Sequence, residues 1–229
     1  MKRFWKDVSI ADGEVALDGR PVRTPGRVAL RLPTAALAEA VAEEWRAVGE
    51  RVDPRTMPLT GLANAAIDRV APDPAAFAAG LSAYGESDLL YYRALSPDAL
   101  IARQEAAWDP WLDWARTRYD VHFETTAGVM HRAQPPATLA RLAEAVTALD
   151  PFGLAGLSPV VTITGSLILA LALVERAGDP DTLWTAANID EDFQAELWGA
   201  DSLAVQALAN KRRDYDAAVA FLAALRPSA

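Results

Sequence analysis

The sequence of 229 residues contains no cysteine and only two histidines, His122 and His131. The absence of cysteine excludes a disulfide scaffold, a thiolate metal site and a cysteine nucleophile. Two histidines are too few for a multi-histidine metal centre. We therefore expect no metal and no cofactor, and we expect both histidines to have structural or solvent-facing roles.

Basic residues are fewer than acidic ones. The sequence contains 22 Lys and Arg and 31 Asp and Glu, which gives a net charge of −9. A nucleic-acid-binding surface has to be basic to replace the counterions of phosphate, so we expect no nucleic acid partner. The imbalance is uneven along the chain. Residues 1–31 carry seven bases against four acids, a net of +3, and the remainder carries 15 bases against 27 acids, a net of −12. This asymmetry indicates two differently built parts.

Long apolar runs are also missing. The longest covers residues 160–174, begins after Pro159 and ends before Glu175, which is shorter than the roughly 20 residues of a membrane-spanning helix. We interpret it as one buried core helix from Val160 to Glu175, with Ser166 as a small residue packed inside it. The N-terminus lacks the apolar region of a secretory signal. We expect no membrane insertion and a cytoplasmic location.

Several catalytic signatures are absent. The sequence has neither the G-x-x-x-x-G-K-[ST] phosphate loop nor the G-x-G-x-x-G turn of dinucleotide-binding proteins. Gly165 and Ser166 lack the flanking residues of a nucleophile elbow. Because no catalytic constellation emerges, the sequence favours a binding function over an enzyme, and we predict no catalytic residue.

The first third of the sequence is typical of strands joined by tight turns. Asp12-Gly13 and Asp18-Gly19 separate short apolar stretches, and Asp-Gly is a strong signal for a two-residue hairpin turn. These patterns, together with the apolar stretch Val28–Leu32, predict three or four antiparallel strands.

After Pro33 the apolar period changes to that of a helix. Thr34 is suited to cap a helix N-terminus, and Leu37, Val41 and Trp45 follow at a spacing of four residues. This pattern predicts an amphipathic helix that covers one face of the sheet. We expect Trp45 to be buried between that helix and the sheet.

From Asp73 onward the sequence is rich in Ala and Leu and predicts helices. Pro72 and Pro74 mark the boundary, so we predict a β-rich domain over residues 1–72 and a helical domain over residues 73–229. The fold class is α+β. The predicted helices beyond the boundary are Asp73–Tyr84, Pro97–Trp108, Pro110–Tyr119, Pro136–Leu149, Val160–Glu175, Asp181–Trp198 and Asp201–Leu225.

One segment, residues 188–201, holds five acids and no base. It does not match a calcium loop, because Ala195 stands where the loop requires glycine. The acids fit a solvated helix face, a general acidic interaction module, or a carboxylate-dependent hydrolase that uses residues 190–201. Trp198, placed before a helix-ending Gly199, is typical of an interface anchor. The acids are Asp190, Glu191, Asp192, Glu196 and Asp201.

Ten segments in register along nearly the whole chain resemble the assembly chaperones for the alpha subunit of F1-ATPase. Each segment alone is weakly specific, but their common order is specific. They are Arg3–Lys6, Leu17–Pro25, Leu32–Thr34, Glu43–Trp45, Met57–Thr60, Ala66–Asp68, Asp88–Arg93, Gln104 with Trp108–Pro110, Thr164–Ser166 and Asp190–Gly199.

The resemblance implies a chaperone without enzymatic activity that binds the free alpha subunit, covers its beta-facing surface and promotes ATP synthase assembly. It also implies a small β-containing domain followed by a helical one. It favours a bacterial cytoplasmic protein or a processed mature form, since eukaryotic relatives work in the mitochondrial matrix. We expect the protein to be monomeric when free. The residues that it makes candidates for partner contact are Asp190, Glu191, Gln194, Trp198 and Gly199.

Overall fold

A computed structural model of the chain describes residues 2–199 and 201–226. Met1, Ala200 and residues 227–229, which fall inside the predicted domain bounds, lie outside the described residues. The predicted α+β class is confirmed, because three short antiparallel strands near the N-terminus are followed by a series of helices.

The N-terminal sheet is a meander with the order β1-β2-β3. Its two turns are the predicted ones, since Ala11 pairs with Glu14 and Leu17 pairs with Arg20. Both residues of each Asp-Gly turn have positive φ, which is 51° and 77° in the first turn and 47° and 75° in the second. This geometry matches the twist of the flanking strands. The strands are β1 (Val8–Ala11), β2 (Glu14–Leu17) and β3 (Arg20–Pro21).

Two details of the predicted strands are wrong. The stretch from Val28 to Leu32 forms only isolated bridges to the sheet and no strand of its own. A second pair of strands lies beyond the first third of the chain, where β4 (Tyr92–Arg93) runs parallel to β5 (Thr126–Ala127). Parallel strands need a long crossover connection, and the chain between them supplies a helix.

The first helix, α1 (Ala35–Ala47), begins as predicted, because the hydroxyl of Thr34 accepts a hydrogen bond from the N–H of Leu37. Trp45 is 9% exposed, and its ring lies 5.3 Å from the ring of Trp5, centroid to centroid. Its predicted burial is confirmed. Leu37 and Val41 belong to the same core as the strand residues, so the helix covers the sheet with its apolar face.

The chain forms two compact units. Among the described residues, the first contains 2–74, 149–156 and 214–226, and the second contains 75–148 and 157–213. The core of the first unit includes Phe221 from the end of the chain. The predicted division into domains 1–72 and 73–229 stays a prediction.

Most of the predicted helices are present, with different ends. Within residues 2–199 and 201–226, no helix combines the length and the apolar character needed to cross a membrane. The helices after α1 are α2 (Pro58–Ala65), α3 (Pro74–Ser82), α4 (Asp98–Tyr119), α5 (Pro136–Thr147), α6 (Pro151–Thr164), α7 (Leu167–Val174), α8 (Pro180–Ala187), α9 (Ile189–Trp198) and α10 (Ser202–Ala224).

Pro110 does not end α4, although the sequence predicted two helices here, Pro97–Trp108 and Pro110–Tyr119. Pro110 lies inside the helix, and the flanking Trp108 and Leu112 are both buried. A proline inside a helix costs about 3 kcal/mol, whereas burying a large apolar side chain stabilises by about 1.5–3 kcal/mol. Burial on both sides of Pro110 therefore offsets the lost backbone hydrogen bond.

The single helix predicted for Val160–Glu175 is wrong. Gly165 has a φ of +66°, which ends α6, and the hydroxyl of Ser166 accepts from the N–H of Leu169 and caps α7. Ser166 therefore caps the start of α7 and is not the predicted small residue packed inside one long helix. The predicted helix Asp181–Trp198 is likewise two helices, because Asn188 ends α8 before α9 begins.

Candidate functional site

The acidic segment folds into α9 and the connection to α10. As predicted, Gly199 ends α9, with a φ of +78° and its N–H bonded to the carbonyl of Ala195 at 2.9 Å. The carboxylate of Asp201 accepts from the N–H of Leu203 at 2.7 Å and caps the start of α10. Each of these bonds satisfies one of the backbone groups that a helix end leaves open. We call the two helices the α9–α10 arm (residues 189–199 and 201–213).

A groove of about 450 Å³ runs between the two helices of the arm. One of its walls comes from α9, the other comes from α10, and small and apolar side chains make up much of the lining. The lining residues are Asn188, Glu191, Asp192, Gln194, Ala195, Trp198, Gly199, Asp201, Ala204, Val205, Ala207, Leu208 and Lys211.

Large apolar side chains are exposed along the arm. Trp198 and Leu203 are each 78% exposed, and Leu197 and Val205 are also exposed. None of residues 201–213 is buried, whereas Tyr215, further along α10, is fully buried. A contiguous exposed apolar surface on a monomer marks an interaction site.

The carboxylate of Asp190 is turned away from the groove. Its Oδ1 accepts a hydrogen bond from Nε2 of Gln104 at 2.6 Å. The Oε1 of Gln104 in turn accepts from the N–H of Ala94 at 2.7 Å. Asp190 does not line the groove, so its role in partner contact stays a prediction.

Glu196 is held by α4 as well. Nη1 and Nη2 of Arg103 lie 2.9 Å and 2.8 Å from the two carboxylate oxygens of Glu196, and the guanidinium lies 5.1 Å from the ring centroid of Phe193. The hydrogen bond from Arg103 lowers the pKa of Glu196 below its ordinary value. This two-point ion pair connects the outer face of α9 to α4, although its exposure to solvent keeps its contribution to stability small.

Glu191 and Asp192 are the acids of α9 that remain for the groove. Both are exposed and line it, and neither forms an ion pair within the part of the chain that the structure describes. Partial burial raises the pKa of Asp192, with a smaller contribution from the charge of Glu196. Asp201 lines the groove as well, and Lys211 is the one cation among the described lining residues, so the groove carries a net negative charge.

The structure brings most of the predicted partner-contact residues together, since Glu191, Gln194, Trp198 and Gly199 all line the groove. Their assignment as partner-contact residues stays a prediction. Sequence reasoning missed the second wall. Val205 and Leu208 lie at helical spacing with Tyr215, but Tyr215 is buried and Val205 is exposed. The crowding of apolar residues beside Trp198 was the signal available.

Comparison with known proteins gives a consistent result. Residues 2–116 match the family model described as ATP12 chaperone protein. The crystal structure of Atp12 from Paracoccus denitrificans is 46% identical, with a TM-score of 0.93 over 98% of both chains. A variant of that protein in which an aspartate is replaced by lysine matches equally well. The Atu1473 protein from Agrobacterium tumefaciens is 42% identical, with a TM-score of 0.94 over 98% of this chain and 86% of that one.

These matches decide between the functions considered for the acidic segment. The family model and the matched structures are those of chaperones and not of enzymes, so the alternative of a carboxylate-dependent hydrolase over residues 190–201 is wrong. The prediction from the ten sequence segments is confirmed at the level of the family. With half of the sequence matched by the family model and the whole fold shared with Atp12, the chain belongs to the ATP12 chaperone family.

Proposed function

We propose that this chaperone binds the free alpha subunit of F1-ATPase and covers the surface that the subunit later offers to the beta subunit, during assembly of ATP synthase. Family membership supports a role in ATP synthase assembly. The observation that carries the proposal is the groove of the α9–α10 arm, where exposed apolar side chains lie beside a net negative charge. The proposed setting is the bacterial cytoplasm, and the proposed free form is a monomer.

The apolar part of the groove supplies the affinity. An orphan subunit of an obligate complex exposes an apolar interface that associates wrongly with other surfaces. Trp198 is the anchor of this part, because tryptophan is among the side chains that contribute most to binding at interfaces. Leu203 and Val205 extend the apolar surface along α10.

The acidic rim supplies selectivity. Glu191 and Asp192 line the groove without an ion pair in the described chain, and the acids of the lining outnumber its one cation, Lys211. A client segment with Lys or Arg next to apolar residues therefore complements it. Complementary charge speeds association and disfavours partners with the wrong sign. The groove therefore fits a client segment that is apolar on one side and basic at its edge.

The test is the charge reversal Glu191→Lys. Because the side chain is exposed, the fold is expected to be retained within about 0.5 kcal/mol. Capture of the alpha subunit and suppression of its aggregation are expected to weaken about tenfold, since each close like-charge contact costs about 1 kcal/mol or more. Pull-down with purified alpha subunit and light scattering measure the two effects.

The matched control is Glu144→Lys, which makes the same change on an exposed position of α5 outside the groove. It is expected to capture the client like the original chain.

Raising the salt concentration from about 0.1 M to about 1 M shortens the Debye length from about 10 Å to 3 Å. High salt is expected to weaken the complex without abolishing it, because the burial of apolar side chains in the interface does not depend on charge. Unchanged capture by folded Glu191→Lys protein removes this segment from the interface. Equal capture of unrelated unfolded proteins favours a general acidic interaction module.

A further inference from the structure

The two walls of the groove are anchored separately within the second unit. Arg103 and Gln104, which are neighbours on α4, hold α9 through Glu196 and Asp190. On the other side, Arg212 of α10 pairs with Asp181 of α8, and its guanidinium lies 5.3 Å from the ring centroid of Trp184. The width of the groove is therefore set by where each helix is held.

Gln104 differs from the other anchors because it is buried, with 1% of its surface exposed. The ion pairs Arg103–Glu196 and Arg212–Asp181 have exposed members, and exposed pairs contribute little. A buried carboxamide with satisfied hydrogen bonds is strongly directional, because losing one partner leaves a polar group desolvated and unpaired.

The carboxamide of Gln104 also has one productive orientation. The N–H of Ala94 needs an acceptor, which only Oε1 offers, and the carboxylate of Asp190 needs a donor, which only Nε2 offers. Ala94 follows directly after β4, and Asp190 lies in the first turn of α9. Gln104 thus ties the start of α9 to the backbone beside β4.

We propose that Gln104 is the positioning residue of the client site: through its hydrogen bond to Asp190 it holds α9 in the register that keeps the groove open to the client. This inference rests on the proposed function of the α9–α10 arm. Gln104 itself does not touch the client, and Asp190 serves the site by receiving this bond instead of by presenting its charge. Positioning by a buried polar bond explains why the carboxylate of Asp190 faces inward.

The first variant is Gln104→Glu. The new side chain keeps the acceptor for the N–H of Ala94 but sets a carboxylate against the carboxylate of Asp190. Two facing carboxyl groups share a proton at low pH, which restores the bond, and repel each other when both are ionised. At about pH 9.5 repulsion is expected to displace the start of α9, and at about pH 5 it is not. Amide hydrogen exchange of residues 189–198 is expected to speed up, and affinity for the alpha subunit is expected to fall about tenfold.

The second variant exchanges donor and acceptor. In the double variant Gln104→Glu with Asp190→Asn, the new amide donates to the new carboxylate, so the bond is restored with reversed polarity. Capture and slow exchange are both expected to return to within about twofold of the original chain. Asp190→Asn alone keeps an acceptor for Nε2 of Gln104 and is expected to capture the client normally.

The control is Gln134→Glu, which alters a second buried glutamine of the same unit. Gln134 bonds the backbone N–H and carbonyl of Glu124, and neither bond involves the described residues of the α9–α10 arm. Its substitution is expected to lower the stability of the unit comparably while leaving capture intact. A purely structural role of Gln104 predicts instead that both substitutions affect capture in proportion to stability.

The outcomes separate the inference from the proposed function. Normal capture by Gln104→Glu, or failure of the double variant to recover, overturns the positioning role while leaving the client site in place. Loss of capture in Asp190→Asn alone also overturns it, because Asp190 would then contact the client by its charge. Failure of the original chain to capture the alpha subunit overturns the proposed function, and the positioning role falls with it.

Discussion

At the scale of single residues, Asp88 joins two segments of the second unit. Its buried carboxylate accepts from the N–H of Leu90 and from the N–H of Ile168, each at 3.0 Å. It therefore satisfies backbone groups at a short turn and at the start of α7. Burial raises the pKa of Asp88 to about 6, against the lowering effect of these hydrogen bonds.

This raised pKa makes the stability of the fold depend on pH. Because the folded state binds the Asp88 proton more tightly than the unfolded state, stability from this group is present below about pH 4 and is lost as the pH rises to about 6. In Asp88→Asn the new side chain does not titrate, and its NH2 group faces one of the two backbone N–H donors of Leu90 and Ile168. Its free-energy cost is expected to be about 1 kcal/mol smaller at about pH 7.5 than at about pH 5.

Urea unfolding of the original chain and of Asp88→Asn at both pH values measures this difference. Subtracting the free energies of unfolding of the two proteins at each pH removes the contributions of the other carboxyl groups, which both proteins share. A cost that is the same at both pH values contradicts the raised pKa.

At the scale of elements, local sequence patterns predict turns and the starts of helices better than they predict a break inside an apolar helical stretch. The Asp18-Gly19 turn and the Thr34 cap were predictable because each depends on residues within a few positions. The break at Gly165–Ser166 was missed because the apolar run around it continues on both sides. A buried helix pair and a buried long helix have the same composition, so only the cap distinguishes them.

The cap of α7 gives the prediction at this scale. Ser166→Ala removes the acceptor for the N–H of Leu169 in a fully buried position. It is expected to lower the free energy of unfolding by about 1–2 kcal/mol. Ser158→Ala, inside α6, is the control and is expected to change stability by less than about 0.5 kcal/mol. Chemical denaturation compares the two, and equal stabilities would mean that Ser166 has no capping role.

At the scale of the whole molecule, replacing a tryptophan by arginine is expected to have different effects in the core and on the surface. Trp45→Arg places a charge in the core of the first unit, where losing a buried aromatic costs about 3–5 kcal/mol of the roughly 5–15 kcal/mol that stabilise a domain. It is expected to unfold the protein or make it insoluble. Trp198→Arg is expected to fold normally, because that side chain is 78% exposed, and to lose client capture.

Thermal unfolding and expression solubility measure the first effect, and pull-down of the alpha subunit measures the second. A Trp45→Arg protein that melts like the original chain contradicts the packing of α1 on the sheet. A Trp198→Arg protein that captures its client normally removes the anchor from the proposed groove.

The candidate site was only half predictable from the sequence. Glu191, Gln194 and Trp198 lie on one short helix, so their common location follows from local spacing. The partner of Asp190 does not, because Gln104 is 86 residues away and a single long-range hydrogen bond leaves no periodic pattern. The wall from α10 was hidden for another reason, since its apolar residues have the spacing of a buried helix face.

The return of the chain end to the first unit has a consequence for biosynthesis. Phe221 completes the core that residues 2–74 begin, and the hydroxyl of Thr34 donates to the carbonyl of Ala224 at 2.5 Å. Because ribosomes add about 5–20 residues per second, the nascent sheet and α1 wait on the order of ten seconds for their closing segment. During that interval the apolar core of the first unit lacks Phe221 and is expected to stay partly exposed to solvent.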